Sequence, residues 1–407
     1  MKKNISNIYF IVLDALRADH VKYMPWLSSK VNDGIYVENL EISSGFCERS
    51  EIFFSLPPSK TKFVNAITLD IDDTTKTKSY TWLKNWMVRL LEPFDRNKFF
   101  QKIIRRLLWN ISIKKSFYSM YPQRIPLKIL NKITLTEDIV DFEEYSKSIK
   151  SGFLYHYISR DYLINWEYFT SLSNPSFGND FSRLETLKNK FSNYKKTFLP
   201  IYISLADVLG HEFGPHSPEL IEALKKLDKH LSSFFNSCLK YDKNSSIHFL
   251  GDHGMEKVHT GINVDNIIKS IAEDLNLKPN QDFYYFLDST MLRIWWQIDN
   301  QKKFDEFFDK LTFNEELKDK GYFIDDINFD NEGLPPIKDI ADIVWWAKKG
   351  VQVAPDFFHN DINTKKGMHG YLKKDKVSKG FLLMITGKNS VKKSYKNLDI
   401  LNLTDIL

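Results

Sequence analysis

The feature that most constrains this chain is a set of mostly apolar runs separated by segments with helical periodicity. The runs cover residues 8–13, 198–205 and 247–250, and a later one covers 380–386. Continuous apolar runs of this length indicate parallel strands that are buried on both faces, because helices cover both sides of such a sheet. The sequence therefore predicts an α/β fold with a mostly parallel central sheet sandwiched by helices.

Acidic residues and histidines follow these runs closely. They are Asp14, Asp207, His211, Asp252, His253 and, between two glycines near the last run, His369. Ligands of parallel sheets bind beyond the carboxyl ends of the strands, so we expect these side chains to meet at one edge. Carboxylate oxygens and imidazole nitrogens in equal number favour two divalent cations, with zinc preferred and manganese as the alternative. Each motif alone also fits a helix cap or a polar turn, and only their joint occurrence favours a metal site.

Composition narrows the class of protein. The chain has 407 residues, of which 43% are hydrophobic, and its net charge is only +5. Length alone suggests two or three domains, but large α/β units often exceed the usual domain size, so one large domain with insertions is preferred. The small net charge argues against a nucleic acid polymer as partner. The two cysteines, Cys47 and Cys238, form no disulfide framework. With no signal-peptide pattern and no apolar stretch of membrane-spanning length, the expected location is cytoplasmic.

Changes in pattern along the chain predict a core with two insertions. The metal-binding α/β core is assigned to residues 1–74, 196–280 and 347–407. Residues 75–195 are helical, basic and aromatic in pattern, without the short buried strands found elsewhere, and residues 281–346 indicate a small α+β insertion. Within the first insertion, residues 98–109 carry an apolar stripe flanked by cations. Packing against the main domain is the favoured interpretation, and peripheral membrane contact or a cover over a lipid-linked substrate is the alternative.

The order of the candidate ligands resembles the metal-binding signature of the alkaline phosphatase superfamily, and most closely its type I phosphodiesterase/nucleotide pyrophosphatase branch. The resemblance covers the first 60 residues, residues 196–260 and about 350–390. The matching motifs are Asp14, Asp207-x3-His211 with Gly-Pro following, Asp252-His253-Gly-Met and Gly-x-His369-Gly-Tyr. The resemblance implies that Asp207, His211 and His369 hold one metal, while Asp14, Asp252 and His253 hold the other. It also implies a nucleophile at a helix N-terminus.

The nucleophile is where the sequence departs from this family. Family members place Thr, Ser or a modified Cys at a fixed distance before a Thr-Gly pair. Residues 52–58 stand where that pair is expected, and counting back reaches Gly45, which has no side chain. Ser44 is adjacent and is the predicted nucleophile, with Ser43 and Cys47 as alternatives. The residues after Cys47 lack the Cys-x-Pro-x-Arg pattern of the modified cysteine.

The predicted function is that of a metal-dependent hydrolase. It would cleave phosphodiester, pyrophosphate or phosphomonoester bonds of its substrate through a covalent seryl intermediate. Arg49 follows the candidate nucleophile and could bind a phosphoryl oxygen, or it could form an ion pair with Glu48 or Glu51. The substrate is expected to be a phosphate ester, such as a nucleotide or a lipid-linked compound. A sulfatase or phosphoryl transferase is the alternative enzyme, and a catalytically inactive metal-binding relative is the alternative of another class.

Overall fold

The computed structural model describes residues 7–46, 48–65, 67–69, 80, 82–95, 97–115, 122, 124–130, 132–135, 142–169, 179–323, 329–359, 364–387 and 391–407. Its strands are β1 (Ile8–Leu13), β2 (Ile35–Glu41), β3 (Ile67–Leu69), β4 (Ile133–Leu135), β5 (Leu163–Ile164), β6 (Thr197–Ile203), β7 (Ser246–Gly251), β8 (Glu256–Lys257), β9 (Thr260–Ile262), β10 (Phe283–Leu287), β11 (Met291–Trp296), β12 (Gly321–Phe323), β13 (Ile343–Ala347), β14 (Val351–Val353), β15 (Gly367–Met368), β16 (Gly380–Thr386) and β17 (Lys393–Asp399). Its α-helices are α1 (Pro25–Lys30), α2 (Glu48–Phe54), α3 (Pro58–Thr61), α4 (Asn85–Asp95), α5 (Lys98–Lys115), α6 (Leu127–Leu130), α7 (Phe142–Ile149), α8 (Gly152–Ile158), α9 (Asp180–Lys188), α10 (Leu205–Phe213), α11 (Pro218–Tyr241), α12 (Val264–Asp274), α13 (Gln301–Thr312), α14 (Glu315–Lys320) and α15 (Phe329–Glu332).

The central sheet has seven strands in the order β17-β2-β16-β7-β1-β6-β5. Strand β1 pairs in parallel with β6 on one side and β7 on the other, and β16 is antiparallel to both of its neighbours. All residues of β1, β6 and β7 are buried, which is why each strand appears in the sequence as a mostly apolar run. The predicted α/β fold class is confirmed.

Helices cover both faces of this sheet. Side chains alternate along β1, so that Tyr9, Ile11 and Leu13 pack in one hydrophobic cluster with helix α11. Ile8, Phe10 and Val12 pack in a second cluster, which includes residues of α2 and α8. The two clusters fix β1 between two layers and hold its carboxyl end in a defined position.

A second sheet lies in the later part of the chain. It is antiparallel and has the order β10-β11-β13-β12. Its apolar side chains belong to a third hydrophobic cluster, which also includes residues of α12 and α13. In the described part of the chain, no helix is both long enough and apolar enough to cross a membrane.

The first insertion differs from its purely helical expectation. It contains the short strands β4 and β5, and β5 pairs in parallel with β6 at the edge of the central sheet. A strand of two residues is too short to leave a periodic pattern in the sequence, so only the pairing with β6 identifies it.

Candidate metal centre

Three strands of the central sheet end at the same level. Leu13, the last residue of β1, lies opposite Ile203 on one side and Gly251 on the other. The backbone N–H of Asp14 still donates to the carbonyl of Ile203, at 2.9 Å. As a result, the segments that follow β1, β6 and β7 leave the sheet side by side, as expected for a ligand site at the carboxyl edge of a parallel sheet.

The first group of candidate ligands consists of Asp207, His211 and His369. Asp207 and His211 are four residues apart on α10 and therefore lie on the same face of that helix. Asp207 Oδ1 lies 3.0 Å from His211 Nε2 and 3.5 Å from His369 Nε2. His369 follows β15, whose antiparallel pairing with β8 brings this distant segment to the site.

The second group consists of Asp14, Asp252 and His253, and all three are buried. His253 Nε2 lies 3.1 Å from Asp14 Oδ1 and 3.8 Å from Asp252 Oδ1. Asp252 is held in place because its Oδ1 accepts the backbone N–H groups of Ala15 and His253, at 3.1 and 2.9 Å. In each group, the candidate ligand atoms all lie within 4.8 Å of one another.

The two groups are neighbours. The rings of His253 and His369 stack with their centroids 4.2 Å apart, and the rings of His211 and His369 are 5.3 Å apart. The structure thus brings together all six residues that the sequence singled out, in the two sets that the family resemblance implies. Their role as metal ligands stays a prediction.

Two of the three histidines, His211 and His253, are oriented by backbone carbonyl groups. Nδ1 of His211 lies 2.8 Å from the carbonyl oxygen of Gly367, and Nδ1 of His253 lies 2.9 Å from that of Gly254. A carbonyl oxygen can only accept, so each Nδ1 must carry the proton. In the neutral form of each ring, Nε2 then carries a lone pair that faces the carboxylates, which is how backbone carbonyls orient metal-binding histidines.

Three buried atoms in these groups lack a hydrogen-bond partner among the described residues: Asp207 Oδ1, Asp252 Oδ2 and His253 Nε2. Asp207 Oδ1 and His253 Nε2 have close N–O contacts, at 3.0 and 3.1 Å, but these contacts lack hydrogen-bond geometry. Buried polar atoms without partners are costly. Oxygen and nitrogen atoms that lie close together without hydrogen-bonding to each other are the arrangement expected of ligands that bind cations between them.

The charges in the centre are unbalanced in a way that cations would relieve. Burial raises the pKa of Asp252 well above its usual range, and the neighbouring carboxylates of Asp14 and Glu48 add to this effect despite His253. Burial also disfavours the charge of Asp207, but His211 and His369 together hold the pKa of its carboxyl well below its usual range. Carboxylates crowded in a buried site repel each other unless positive charge lies between them.

The candidate nucleophiles lie in the segment before α2. This helix begins at Glu48, so Ser44 lies in the preceding bend and not at the helix N-terminus that the family resemblance implies. Ser44 is buried, its Oγ donates to Glu332, and it accepts the N–H of Lys373 at 2.9 Å. Ser43 is buried as well. Cys47, the third candidate, lies outside the described residues.

Arg49 lies beneath the second ligand group. Its guanidinium stacks on the ring of Tyr202, 4.7 Å from the centroid, and the Tyr202 hydroxyl donates to Asp14. The two roles that the sequence left open for Arg49, binding of a phosphoryl oxygen and an ion pair with Glu48 or Glu51, both stay predictions.

Two further residues lie in the centre and were not predicted from the sequence as site residues. Glu48 is buried, with Oε1 3.9 Å from His253 Nε2, and Tyr202 hydrogen-bonds to Asp14. Neither follows an apolar run as five of the six candidate ligands do. Tyr202 lies inside such a run, on β6, and Glu48 lies in a segment that lacks the family pattern. A cavity opens beside the two groups, and its lining includes Ser43, Gly45, His253, His369, Tyr371 and Ser378.

Comparison with known proteins identifies the family of this chain. The sequence model of the type I phosphodiesterase/nucleotide pyrophosphatase family matches residues 74–372. The chain belongs to this family. Over 133 residues it is 32% identical to alkaline phosphatase PhoV of Synechococcus elongatus, a match that covers 31% of this chain and 24% of that protein. Over 223 residues it is 26% identical to a venom phosphodiesterase of Macrovipera lebetinus, covering 51% of this chain and 24% of that protein.

The matched regions therefore span about a quarter of the length of these two curated relatives. Among solved structures, murine ectonucleotide pyrophosphatase/phosphodiesterase 5, in an inactive form in complex with AMP, superposes with a TM-score of 0.63. That superposition covers 98% of this phosphodiesterase-family chain and 93% of the murine chain at 15% identity. At this identity, the likeness establishes a shared fold.

Proposed function

We propose that this protein is a hydrolase of phosphodiester, pyrophosphate or phosphomonoester bonds that uses two divalent cations, zinc in preference to manganese. The observation that carries the proposal is the pair of adjacent ligand groups, joined by the stacked rings of His253 and His369. Membership of the phosphodiesterase family and the names of the two relatives, a phosphatase and a phosphodiesterase, support the same reaction class.

Asp207, His211 and His369 would hold one cation, and Asp14, Asp252 and His253 would hold the other. Glu48 is near enough to His253 to act as a further acidic ligand of the second cation. When bound, the two cations would withdraw charge from the phosphoryl oxygens and favour the ionised form of a nearby nucleophile. The backbone bonds of His211 and His253 keep both rings oriented toward the ligand groups.

We assign the nucleophile to Ser44. Its hydroxyl donates to the carboxylate of Glu332, which supplies a proton acceptor in direct contact with the reacting oxygen. In the proposed step, Ser44 Oγ bonds to phosphorus and its proton passes to Glu332, while the leaving oxygen departs with its bonding electrons and then takes up that proton. Water then hydrolyses the phosphoseryl group and restores the serine. The N–H of Lys373 donates to Ser44 Oγ and helps to fix its position.

The substrate is proposed to be a nucleotide-like or lipid-linked phosphate ester. The AMP complex of the murine structure supports the nucleotide, and the cavity that His253 and His369 line lies beside the ligand groups. A cytoplasmic location is part of the proposal, and it is supported by the presence of only two cysteines.

Turnover of matched aryl esters tests the proposal. The purified chain, stripped by a chelator and reloaded with zinc or manganese, is assayed with p-nitrophenyl phosphate, bis-p-nitrophenyl phosphate, p-nitrophenyl thymidine monophosphate and p-nitrophenyl sulfate. We expect metal-dependent hydrolysis of phosphate esters, which is lost in Asp252→Asn and kept in Asp265→Asn, a control at a buried aspartate that hydrogen-bonds to Tyr285. Turnover of the sulfate ester alone would contradict the proposal and favour a sulfatase.

A further inference from the structure

The helices α4 and α5 expose an unusual amount of apolar surface. Of the 15 exposed large hydrophobic residues among the described ones, eight lie between residues 86 and 111. They are Trp86, Leu90, Phe94, Phe99, Phe100, Ile103, Leu107 and Ile111. We call these eight residues the apolar face. Contiguous apolar patches on a protein surface mark a site of interaction, whereas apolar residues scattered singly need no explanation.

The spacing shows that these residues form rows. Trp86, Leu90 and Phe94 recur every four residues along α4, and Ile103, Leu107 and Ile111 recur every four residues along α5. Residues at this spacing lie on one side of a helix. The aromatic rings near the turn between the helices join the rows, because the centroids of Phe94 and Phe100 are 6.1 Å apart.

Other residues of both helices pack inside the protein. Val88 of α4 and Ile104 and Leu108 of α5 are buried in the third hydrophobic cluster. The buried Arg105 pairs with Asp95, which ties α5 to α4. The favoured expectation that the stripe of residues 98–109 packs against the main domain thus holds for only one side of α5. A neighbouring side of α5 carries a second apolar row, which is exposed on the surface.

Charge indicates what this face binds. Residues 85–115 contain eight Lys or Arg residues and two acidic residues, a net charge of +6, whereas the whole chain has +5. Beside the apolar rows, the cations Arg89, Lys102 and Arg106 are exposed. The acids are engaged, because Glu92 lies 3.3 Å from Lys128 and Asp95 pairs with Arg105.

We propose that the apolar face is a docking site for the surface of an anionic lipid bilayer. Helices with Trp, Phe and Leu on one side and Lys or Arg beside it lie in the membrane interface, with the apolar side chains in the acyl boundary and the cations at the headgroups. A second copy of this chain fits less well, since it would bring two segments of charge +6 together.

Sedimentation with lipid vesicles tests this docking site. The full chain is mixed with vesicles of phosphatidylcholine alone or of phosphatidylcholine with phosphatidylglycerol. We expect binding to the anionic vesicles, weaker binding to the neutral ones, and release by salt. Because about 1 kcal/mol is attributed to each cation near an anionic surface, Lys102→Ser should weaken binding by about fivefold.

Two phenylalanines provide a matched pair. Phe99 in the apolar face is 69% exposed, and Phe313 after α13 is 71% exposed. Phe99→Glu should weaken vesicle binding by about tenfold or more, because it removes an inserted ring and adds a negative charge. Phe313→Glu should leave binding unchanged. Both side chains are exposed, so both variants are expected to unfold at the temperature of the wild type.

Three outcomes would overturn the docking site. One is a wild type that sediments with neither type of vesicle. Another is equal loss of binding in Phe99→Glu and Phe313→Glu. The third is a wild type that does not bind vesicles but dimerises with increasing concentration, when Phe99→Glu abolishes the dimer. This result would assign the face to a second copy of the chain.

Discussion

The buried carboxyl group of Glu51 makes the stability of this fold depend on pH. Glu51 lies on α2 and is only 2% exposed, and its two carboxylate oxygens accept the backbone N–H of Ser43 at 3.2 and 3.1 Å. Burial raises its pKa from 4.5 to about 8, with a smaller contribution from Asp399, although its bonds to Ser43 act in the opposite direction. The folded protein therefore holds a proton on Glu51 at pH values where the unfolded chain has released it.

The sign and the size of the effect follow from this difference. Because the folded state binds the proton more tightly, the contribution to stability is complete below about pH 4.5 and is lost as the pH rises through about 8. At about 1.4 kcal/mol per pH unit, the interval from 4.5 to about 8 corresponds to an upper limit of about 5 kcal/mol. That is a large fraction of the stability of a typical domain.

Glu51→Gln removes this titration, because the neutral amide resembles the protonated acid and can still accept the N–H of Ser43. The free energy of unfolding is measured by urea denaturation between about pH 5 and about pH 9 in the presence of chelator. We expect the wild type to lose stability relative to Glu51→Gln as the pH rises, by up to about 5 kcal/mol. The exposed control Glu222→Gln should follow the wild type. Parallel curves for the wild type and Glu51→Gln would refute the reasoning.

Three further predictions concern the site itself. His211→Ala should lower the zinc content measured by elemental analysis from two ions to about one, since the second ligand group stays intact; unchanged content would contradict the ligand division. Ser44→Ala should reduce turnover by about a thousandfold or more at unchanged metal content, and Ser43→Ala should be mild; the reverse order would move the nucleophile to Ser43. Gly370→Ala should destabilise the protein by at least about 1 kcal/mol in thermal unfolding, because Gly370 has a φ of +83° and a Cβ there would overlap the Phe46 ring; an unchanged melting temperature would count against this packing.

The fold class and the six candidate ligands could be predicted because their signals are local. A strand buried on both faces is mostly apolar, as β1 and β6 are, and β7 follows the pattern except at Ser246 and His248. Parallel strands also bring their carboxyl ends to one edge, so residues that follow such runs can be expected to meet. The position of Asp207 and His211 on one face of α10 follows from their four-residue spacing.

The surroundings of the candidate nucleophile could not be predicted in this way. Ser44 and Glu332 are 288 residues apart, and no periodicity links them. The sequence does not mark Glu48 as a site residue. A glutamate at the start of a helix is ordinarily exposed to solvent, where it interacts favourably with the helix dipole. Its burial near His253 is known only once α2 is packed against the end of β7.

The sequence by itself thus determined the layers of the fold, the sheet edge that carries the ligands and the identity of the six ligand candidates, since apolar periodicity and strand direction are properties of short segments. The tertiary structure alone decided which buried carboxylate contacts Ser44, how Glu48 joins the second ligand group, and which sides of α4 and α5 remain outside. These depend on contacts between segments far apart in the chain, where burial and not local pattern sets the free energy of each polar or apolar group.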